Sequence, residues 1–196
     1  MQKPYTFIFV GRSGSGKGTQ IKLLQEYIQK NLGGESYYFV MGDTFRNFMK
    51  DDGYAQVKIR ETINGGNLIP DLITNSLFVS DILHGLKENQ HLFIDGIPRS
   101  QIQSEAVIDI LNFYNRKDAI MIDIAVSKDE VRNRMLSRKR PDDTEKAIDG
   151  RLAFYEKDVV PAVEYLKEKS GYKYIEIDGM PTIEEIHKDI INKLGI

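Results

Sequence analysis

Five short apolar runs, separated by amphipathic stretches, set the pattern of this chain. The runs have the composition of strands buried on both faces and cover Tyr5 to Val10, Tyr37 to Val40, Leu92 to Ile94, Ala119 to Val126 and Tyr172 to Ile177. The stretches between them have helical patterns rather than hairpin turns, which indicates crossover connections. The sequence therefore predicts an α/β fold, a three-layer sandwich in which a five-stranded parallel sheet carries helices on both faces.

Several helix starts carry local signals. Ser127 followed by Glu130, and Thr182 followed by Glu185, fit the capping box, in which each of the two side chains satisfies a backbone donor of the other residue. Pro70 suits the first turn of a helix between the second and third strands, because its missing N–H has no intrahelical partner there. We expect helices to begin at these three places.

The composition is that of an ordinary globular protein, with 41% hydrophobic and 29% charged residues in a chain of 196. That length suits one compact core. We find neither a repeat nor a linker in the sequence, and we therefore expect a single domain over residues 1–196.

Charge and rare residue types exclude several functions. Lys and Arg total 27 against 29 Asp and Glu, and the net charge of -2 disfavours binding to nucleic acid. With no cysteine and 3 histidines, disulfides are excluded and zinc ligands are scarce.

No apolar run approaches the roughly 20 residues of a membrane span, and Met1 to Pro4 lead into a strand rather than a secretory signal. We expect a soluble cytoplasmic protein without a membrane partner.

The segment from Gly11 to Gln20 follows the first predicted strand and opens an amphipathic helix. It reads Gly-Arg-Ser-Gly-Ser-Gly-Lys-Gly-Thr-Gln, which is a P-loop. Its glycines let consecutive backbone amides face a phosphate, and the helix N-terminus adds positive potential. Lys17 adds a mobile charge for the outer phosphates. The predicted phosphate-binding residues are Gly14, Ser15, Gly16, Lys17, Gly18 and Thr19.

Magnesium is expected to be held mainly by the phosphates. The position after Lys17 usually holds the hydroxyl residue that binds magnesium, but here it is Gly18, and Thr19 follows. Asp95 ends the third predicted strand, so it should emerge at the carboxyl edge of the sheet near the P-loop. We predict that Asp95 holds Mg²⁺ through water; alternatively, it only caps a turn with Gly96.

Five segments, taken in order, resemble the signature blocks of the adenylate kinase family. They are the P-loop, Gly42 to Arg46, Gly66 to Asp71, Asp95 to Arg99, and Arg140 to Asp143 followed by Arg151. They span nearly the whole chain, so the combination is far more specific than any one motif. The resemblance implies an enzyme that transfers a phosphoryl group reversibly from magnesium ATP to a nucleoside monophosphate, most often AMP, giving two ADP. We expect it to be a monomer.

The resemblance also implies a role for each cation. Two polyphosphates brought end to end repel each other, so several cations are needed to stabilise the transferring group. Arg46 and Arg99 resemble the clamp on the monophosphate, and Arg134, with Arg138, resembles a residue that covers ATP. The expected catalytic set is Lys17, Arg99, Arg138, Arg140 and Arg151.

Simpler interpretations of these charged residues stay open. Any one arginine taken alone would be interpreted as a solvated surface charge, and Glu130 could simply pair with Arg134 along a helix. Asp142 and Asp143 match family acids that orient the arginines, although Asp143 could equally cap the next helix.

The monophosphate-binding residues are also taken from the resemblance. They are Met41, Arg46, Asn67, Leu68, Ile69, Gly96, Ile97, Pro98, Arg99, Gln103, Arg140 and Arg151. The Gln103 amide can both accept from and donate to an adenine edge, but Ser100 and Gln103 also fit a capping box. Met41 replaces a usual threonine, and Ile97 replaces a common aromatic residue. A UMP/CMP-type kinase is therefore the alternative to an AMP kinase.

The expected lid is very short. Only Lys139 separates Arg138 from Arg140, where the family carries at least a several-residue loop. We expect a vestigial lid at about residues 137–143 and a monophosphate-binding insert at about residues 40–69. Exclusion of water must then rely on the arginines and on movement of the insert, so donor-base selectivity should be loose and ATP hydrolysis without acceptor should be raised.

Three other functions have specific sequence requirements. A guanine-binding P-loop switch needs an Asn-Lys-x-Asp segment, and Asn192 to Gly195 lacks the aspartate. A kinase of acids or sugars would share the donor site, but Arg46, Gly66 to Asp71, and Gln103 favour a nucleotide acceptor. A nucleotide-binding protein whose catalysis has decayed is disfavoured by the retained arginines.

Overall fold

The computed structural model describes residues 3–138, 140 and 143–196. The strands are β1 (Thr6–Val10), β2 (Ser36–Val40), β3 (His91–Asp95), β4 (Ile120–Ala125) and β5 (Lys173–Asp178). The helices are α1 (Lys17–Asn31), α2 (Met41–Phe48), α3 (Tyr54–Asn64), α4 (Asp71–Gly85), α5 (Gln101–Phe113), α6 (Lys128–Ser137), α7 (Glu145–Phe154), α8 (Val160–Ser170) and α9 (Ile183–Leu194), and a π-helical turn (Tyr155–Val159) joins α7 to α8. All five predicted strands are confirmed, each to within one residue at either end.

The described strands form one parallel sheet in the order β2-β3-β1-β4-β5. The register sets Asp95 of β3 beside Phe9 of β1 and Val40 of β2, and it sets Val10 beside Asp123 of β4. The carboxyl ends of these four strands therefore meet at one edge, where the loops that follow them converge. The predicted α/β class and parallel sheet are confirmed.

Two hydrophobic cores lie on opposite faces of this sheet. Alternate residues of β1 enter different cores: Phe7 and Phe9 pack with α1, α6, α7 and α9, whereas Ile8 and Val10 pack with α4, α5 and α8. Each such side chain contributes roughly 1.5–3 kcal/mol when it is fully buried. The strand that leads into the P-loop is thus fixed from both sides, and the three-layer arrangement is confirmed.

The predicted helix starts are formed with one difference in detail. Thr182 and Glu185 make the complete capping box of α9. Ser127 accepts a hydrogen bond from the backbone N of Glu130 at 3.4 Å, but the Glu130 carboxylate accepts from Arg134 instead of returning to Ser127. The reciprocal half of that predicted box is therefore wrong. Within the described residues, none of the helices combines the length and apolar composition that a membrane crossing requires.

A close backbone contact joins α7 to the segment after α3. Gly150 lies inside α7, where glycine destabilises a helix by roughly 1 kcal/mol relative to alanine. A Cβ atom at Gly150 would lie 2.3 Å from the carbonyl oxygen of Gly66 and 2.7 Å from its Cα. The absent side chain therefore lets Gly66 approach α7, which positions the following residues, Asn67 to Ile69, at the cavity described below.

We predict that Gly150→Ala lowers the free energy of unfolding by about 1–3 kcal/mol, because the new methyl group overlaps the Gly66 backbone. Urea unfolding followed by circular dichroism measures the change. Gly53→Ala is the matched control, since its Cβ would meet the Gln56 side-chain amide, which can rotate away. Equal stability of the two variants would contradict the packing role of Gly150.

Candidate active site

A cavity of about 560 Å³ opens at the carboxyl edge of the sheet. Ligand pockets in proteins commonly measure about 300–1,000 Å³. Among the described residues, two aspartates and eight cationic side chains line it, and the cations are Lys17, Lys22, Arg46, Arg99, Arg134, Arg138, Arg140 and Arg151. A cavity with this excess of positive charge suits a polyanionic ligand.

The P-loop forms one end of the cavity. Gly11 and Gly16 have φ angles of 124° and 97°, in the region that favours glycine. A Cβ atom at Gly11 would also lie 2.6 Å from the carbonyl oxygen of Ile124 on the neighbouring strand. Helix α1 begins at Lys17, directly after Gly16. The loop therefore directs the N-terminus of α1, with its partial positive charge, toward the cavity.

Lys17 is folded back onto its own loop. Its Nζ donates to the carbonyl oxygens of Gly11 at 3.0 Å and Arg12 at 3.1 Å, and it lies 3.9 Å from Asp95 Oδ1. Burial lowers the pKa of the Lys17 ammonium, and the Asp95 carboxylate opposes that shift. A phosphate oxygen could replace the carbonyl acceptors and supply negative charge to a cation that burial disfavours.

Asp95 lies where the sequence predicted it, beside the P-loop. Its Oδ2 accepts a hydrogen bond from Tyr38 Oη at 3.3 Å. Burial and the adjacent Asp95 carboxylate raise the pKa of Tyr38, so the phenol remains a donor. Sequence reasoning missed Tyr38, because it lies inside an apolar run that predicts a buried strand.

The donor set around Asp95 fits magnesium that arrives with phosphates. Within the described part of the chain, no cluster of three or more His, Asp or Glu side chains is placed to hold a metal ion. Mg²⁺ keeps several water ligands and is commonly bound by one or two carboxylates together with substrate phosphates. A single half-buried carboxylate beside a phosphate-binding loop matches that requirement.

Two arginines follow strands β2 and β3. Arg99 Nε donates to the carbonyl oxygen of Gly96 at 2.8 Å, and burial lowers the pKa of its guanidinium while Asp95 opposes the shift. Arg46, on α2, forms an ion pair with Asp43. Exposed ion pairs contribute at most about 1 kcal/mol, so Arg46 can exchange Asp43 for a more highly charged partner.

A carboxylate holds two arginines together on the opposite wall. Arg138 donates to both Asp143 oxygens, at 2.5 and 2.9 Å, and Arg151 donates to Oδ1 at 2.5 Å. Burial favours the neutral form of Asp143, but the hydrogen bonds and charges of the arginines outweigh it and lower the pKa. Thr144 caps α7, so the interpretation of Asp143 as only a helix cap was wrong.

Arg134 and Arg140 complete the cationic lining. Arg134 donates to Glu130 Oε1 at 2.7 Å, so the predicted pairing of these two residues along a helix is formed. Arg134 also donates to the carbonyl oxygen of Gly179 at 3.1 Å. Arg140 is exposed and lines the cavity. Of the predicted short lid, Lys139, Pro141 and Asp142 lie outside the described residues.

Gln103 lies in the cavity wall and is 1% exposed. Its Oε1 accepts from the backbone N of Arg99 at 2.9 Å, and its Nε2 donates to Asp71 Oδ1 at 2.8 Å. Ser100 Oγ accepts from the Gln103 backbone N at 3.2 Å, so the first half of the predicted capping box is formed. The side chain bonds to Arg99 and Asp71, so the second half of the capping box was wrong.

Most of the remaining predicted residues also line the cavity. They are Gly14, Gly16, Gly18, Thr19, Met41, Asn67, Leu68, Ile69 and Gly96. Three predicted residues lie behind its wall: Ser15 is buried beneath the P-loop, and Ile97 and Pro98 line a small adjoining void. Thr74 and Phe154, which sequence reasoning missed, lie on helices and have no recognisable motif around them.

Comparisons with known proteins agree with the resemblance. A family model described as adenylate kinase matches residues 9–171. An adenylate kinase of Azobacteroides pseudotrichonymphae is 32% identical over 188 residues, covering 94% of each chain. Adenylate kinase 1 of a Nostoc species is 29% identical, covering 96% of this chain and 97% of that protein. An adenylate kinase of Dehalococcoides mccartyi is 31% identical, covering 97% of this chain and 98% of that protein.

We predict that Asp143→Asn lowers the free energy of unfolding at pH 7 by about 1–3 kcal/mol, because two arginines lose a buried carboxylate. Since folding lowers the pKa of Asp143 below its ordinary 3.8, the wild-type advantage is complete above that value and is lost as the pH falls through the folded pKa. Urea unfolding at pH 7 and at pH 3 measures this dependence.

Asp149→Asn is the matched control for Asp143→Asn. Asp149 lies on the next helix and pairs with Arg132, but its side chain is 61% exposed. Its substitution should change stability by less than about 1 kcal/mol. A deficit in Asp143→Asn that stays constant between the two pH values would contradict the charge-based role of Asp143.

Proposed function

The chain belongs to the adenylate kinase family, and we propose that it transfers the terminal phosphoryl group of magnesium ATP reversibly to AMP, giving two ADP. One observation supports this most strongly. Within the part of the chain that the structure describes, cations from five separate segments line one cavity, with the P-loop at one end and the buried Gln103 amide in its wall. Two nucleotides that meet through their phosphates require such an arrangement.

The donor nucleotide binds at the P-loop. Backbone amides at the start of α1, together with Lys17, hold its phosphates, and Arg134 and Arg138 cover it from α6. On the acceptor side, Arg46 and Arg99 bind the phosphate of AMP, and Asn67, Leu68 and Ile69 lie beside it. Arginines suit these sites because a guanidinium can bind two phosphate oxygens at once.

Catalysis follows from position and charge. An oxygen of the AMP phosphate attacks the terminal phosphorus of ATP, a new P–O bond forms, and the bond from that phosphorus to the bridging oxygen of the leaving ADP breaks. Lys17, Arg138, Arg140 and Arg151 surround the transferring group and stabilise its charge. The AMP phosphate is already ionised, so no general base is required.

Asp95 is the residue that would hold Mg²⁺ through water, and Tyr38 would orient its carboxylate. The ion, when bound, neutralises part of the phosphate charge. Apart from Mg²⁺, the groups that bind and orient the two nucleotides in this scheme all belong to one chain. We therefore propose that the enzyme acts as a monomer.

We predict that the protein converts AMP in a coupled assay with magnesium ATP much faster than CMP, UMP or GMP.

Lys17→Met should lower kcat by about 100- to 1,000-fold, because it removes a preorganised charge from the transferring group. Arg99→Gln should raise the KM for AMP more than that for ATP.

Arg132→Gln is the control for these variants. Arg132 lies on α6 like Arg134, but it pairs with Asp149 on the surface, so kcat and both KM values should stay within twofold of wild type. A Lys17→Met enzyme that retains a third or more of wild-type kcat would refute the proposed role of the P-loop lysine.

The short lid predicts a second measurable property. Because few residues separate Arg138 from Arg140, water should reach bound ATP more readily than in a relative with a long lid. Release of ADP from ATP in the absence of any acceptor should therefore be faster than in such a relative, assayed side by side. Equal or slower release would contradict the role assigned to lid length.

A further inference from the structure

We propose that Asp71 sets the base preference of the acceptor site by fixing the orientation of the Gln103 amide. This inference rests on the proposed function, since it requires that Gln103 contacts the base of the acceptor nucleotide. Asp71 is a positioning residue in this scheme: it begins α4 and bonds to the side chain of Gln103, which in turn lines the cavity.

Two hydrogen bonds hold the amide, one at each polar atom. Gln103 Nε2 donates to Asp71 Oδ1 at 2.8 Å, and Gln103 Oε1 accepts from the backbone N of Arg99 at 2.9 Å. Ser100 Oγ also donates to Asp71 Oδ1, at 2.7 Å, which fixes the carboxylate itself. The network is thus held by residues from α4, from the turn after β3 and from the start of α5.

The chemistry of both partners specifies one orientation of the amide. A carboxylate only accepts hydrogen bonds, so the atom of Gln103 that faces Asp71 must be the amide nitrogen. A backbone N–H only donates, so the atom that faces Arg99 must be the oxygen. Rotating the amide by 180° would place two acceptors together and two donors together at a site that is 1% exposed, where unsatisfied polar groups are strongly disfavoured.

The fixed amide leaves one N–H and one oxygen lone pair for a ligand. Adenine offers an acceptor at N1 beside a donor at its 6-amino group, which complements this pair. A 6-oxopurine offers a donor at N1 beside an acceptor at O6, which opposes it at both atoms. Cytosine has the adenine pattern and uracil has the oxopurine pattern. We call the amide of Gln103, fixed by Asp71 and the Arg99 backbone N–H, the lock. The lock therefore selects bases with an amino group over bases with an oxo group, and the cavity walls, including Met41, select ring size.

Asp71 also has a simpler structural role. A carboxylate in the first turn of a helix stabilises that helix through its interaction with the helix dipole. Removing that interaction would lower stability and affect all acceptors alike. It would not change the ratio in which two acceptors of equal size and charge are used, and that ratio separates the two roles.

The test compares AMP with IMP, which differ only at the 6-substituent and the N1 proton. Asp71→Asn replaces a group that only accepts with an amide that can offer either an oxygen or an NH₂ group, which leaves the backbone N–H of Arg99 as the remaining group that opposes a turned Gln103 amide. We expect the ratio of kcat/KM for AMP to that for IMP to fall by about tenfold or more. A ratio that stays within twofold of wild type, with both rates lowered together, would overturn the lock.

Asp81→Asn is the matched control. Asp81 lies on the same helix, close to its C-terminal end, and its carboxylate accepts a hydrogen bond from the Tyr37 hydroxyl instead of from Gln103. Its AMP-to-IMP ratio should equal that of wild type. A fall in this control as large as that in Asp71→Asn would overturn the specific role of Asp71.

Measurements without an Asp71 variant keep the inference testable if Asp71→Asn does not fold. The wild-type enzyme should prefer AMP to IMP and, among poorer acceptors, CMP to UMP; the reverse order in either pair would overturn the lock. Gln103→Ala should lose most of the preference for AMP over IMP, and its persistence would overturn base contact by Gln103. A wild-type protein inactive on every monophosphate would overturn the proposed function itself.

Discussion

Mutual repulsion among gathered cations is the constraint on which this site depends. The chain as a whole carries a net charge of -2, yet among the described residues eight cationic side chains line a single cavity against two aspartates. Carboxylates beside several of these cations offset part of their repulsion. Asp143 lies between Arg138 and Arg151, Glu130 holds Arg134, and Asp43 holds Arg46. At Lys17 and Arg99 the compensation is incomplete, since burial lowers the pKa of both groups and Asp95 opposes only part of that effect.

That incomplete compensation is what makes the cavity suited to phosphates. A cation that burial disfavours gains most from an incoming anion, and a cation already in place needs no reorganisation when charge develops on a transferring group. The exposed ion pair of Arg46 is weak enough to be exchanged, whereas Asp143 is buried and keeps its arginines in position. The acids of the site thus differ in role according to their burial.

The parts of the site that sequence could predict are those set by local rules. The P-loop conformation needs glycine at fixed spacings, and buried parallel strands need continuous apolar runs, so both are visible in the sequence. Tyr38 was missed because its hydroxyl acts from within such a run, and nothing local distinguishes it from a core residue. Asp71 and Gln103 are 32 residues apart, and only the packing of α4 beside α5 brings them together. The role of Asp143 in orienting arginines was predicted only through the family resemblance, because its contact with Arg151 joins residues eight positions apart that no local rule pairs.

In the proposed scheme, Arg99 connects the two halves of acceptor recognition. Its guanidinium lies in the cavity, while its backbone N–H fixes the oxygen of the Gln103 amide. Any shift of the turn after β3 would therefore move the proposed phosphate contact and the proposed base contact together. Methionine at position 41 is compatible with the same scheme. Met41 is fully buried and supplies an apolar wall, whereas in the proposed scheme the hydrogen bonds that distinguish one base from another come from Gln103, which a backbone N–H and a carboxylate hold in place.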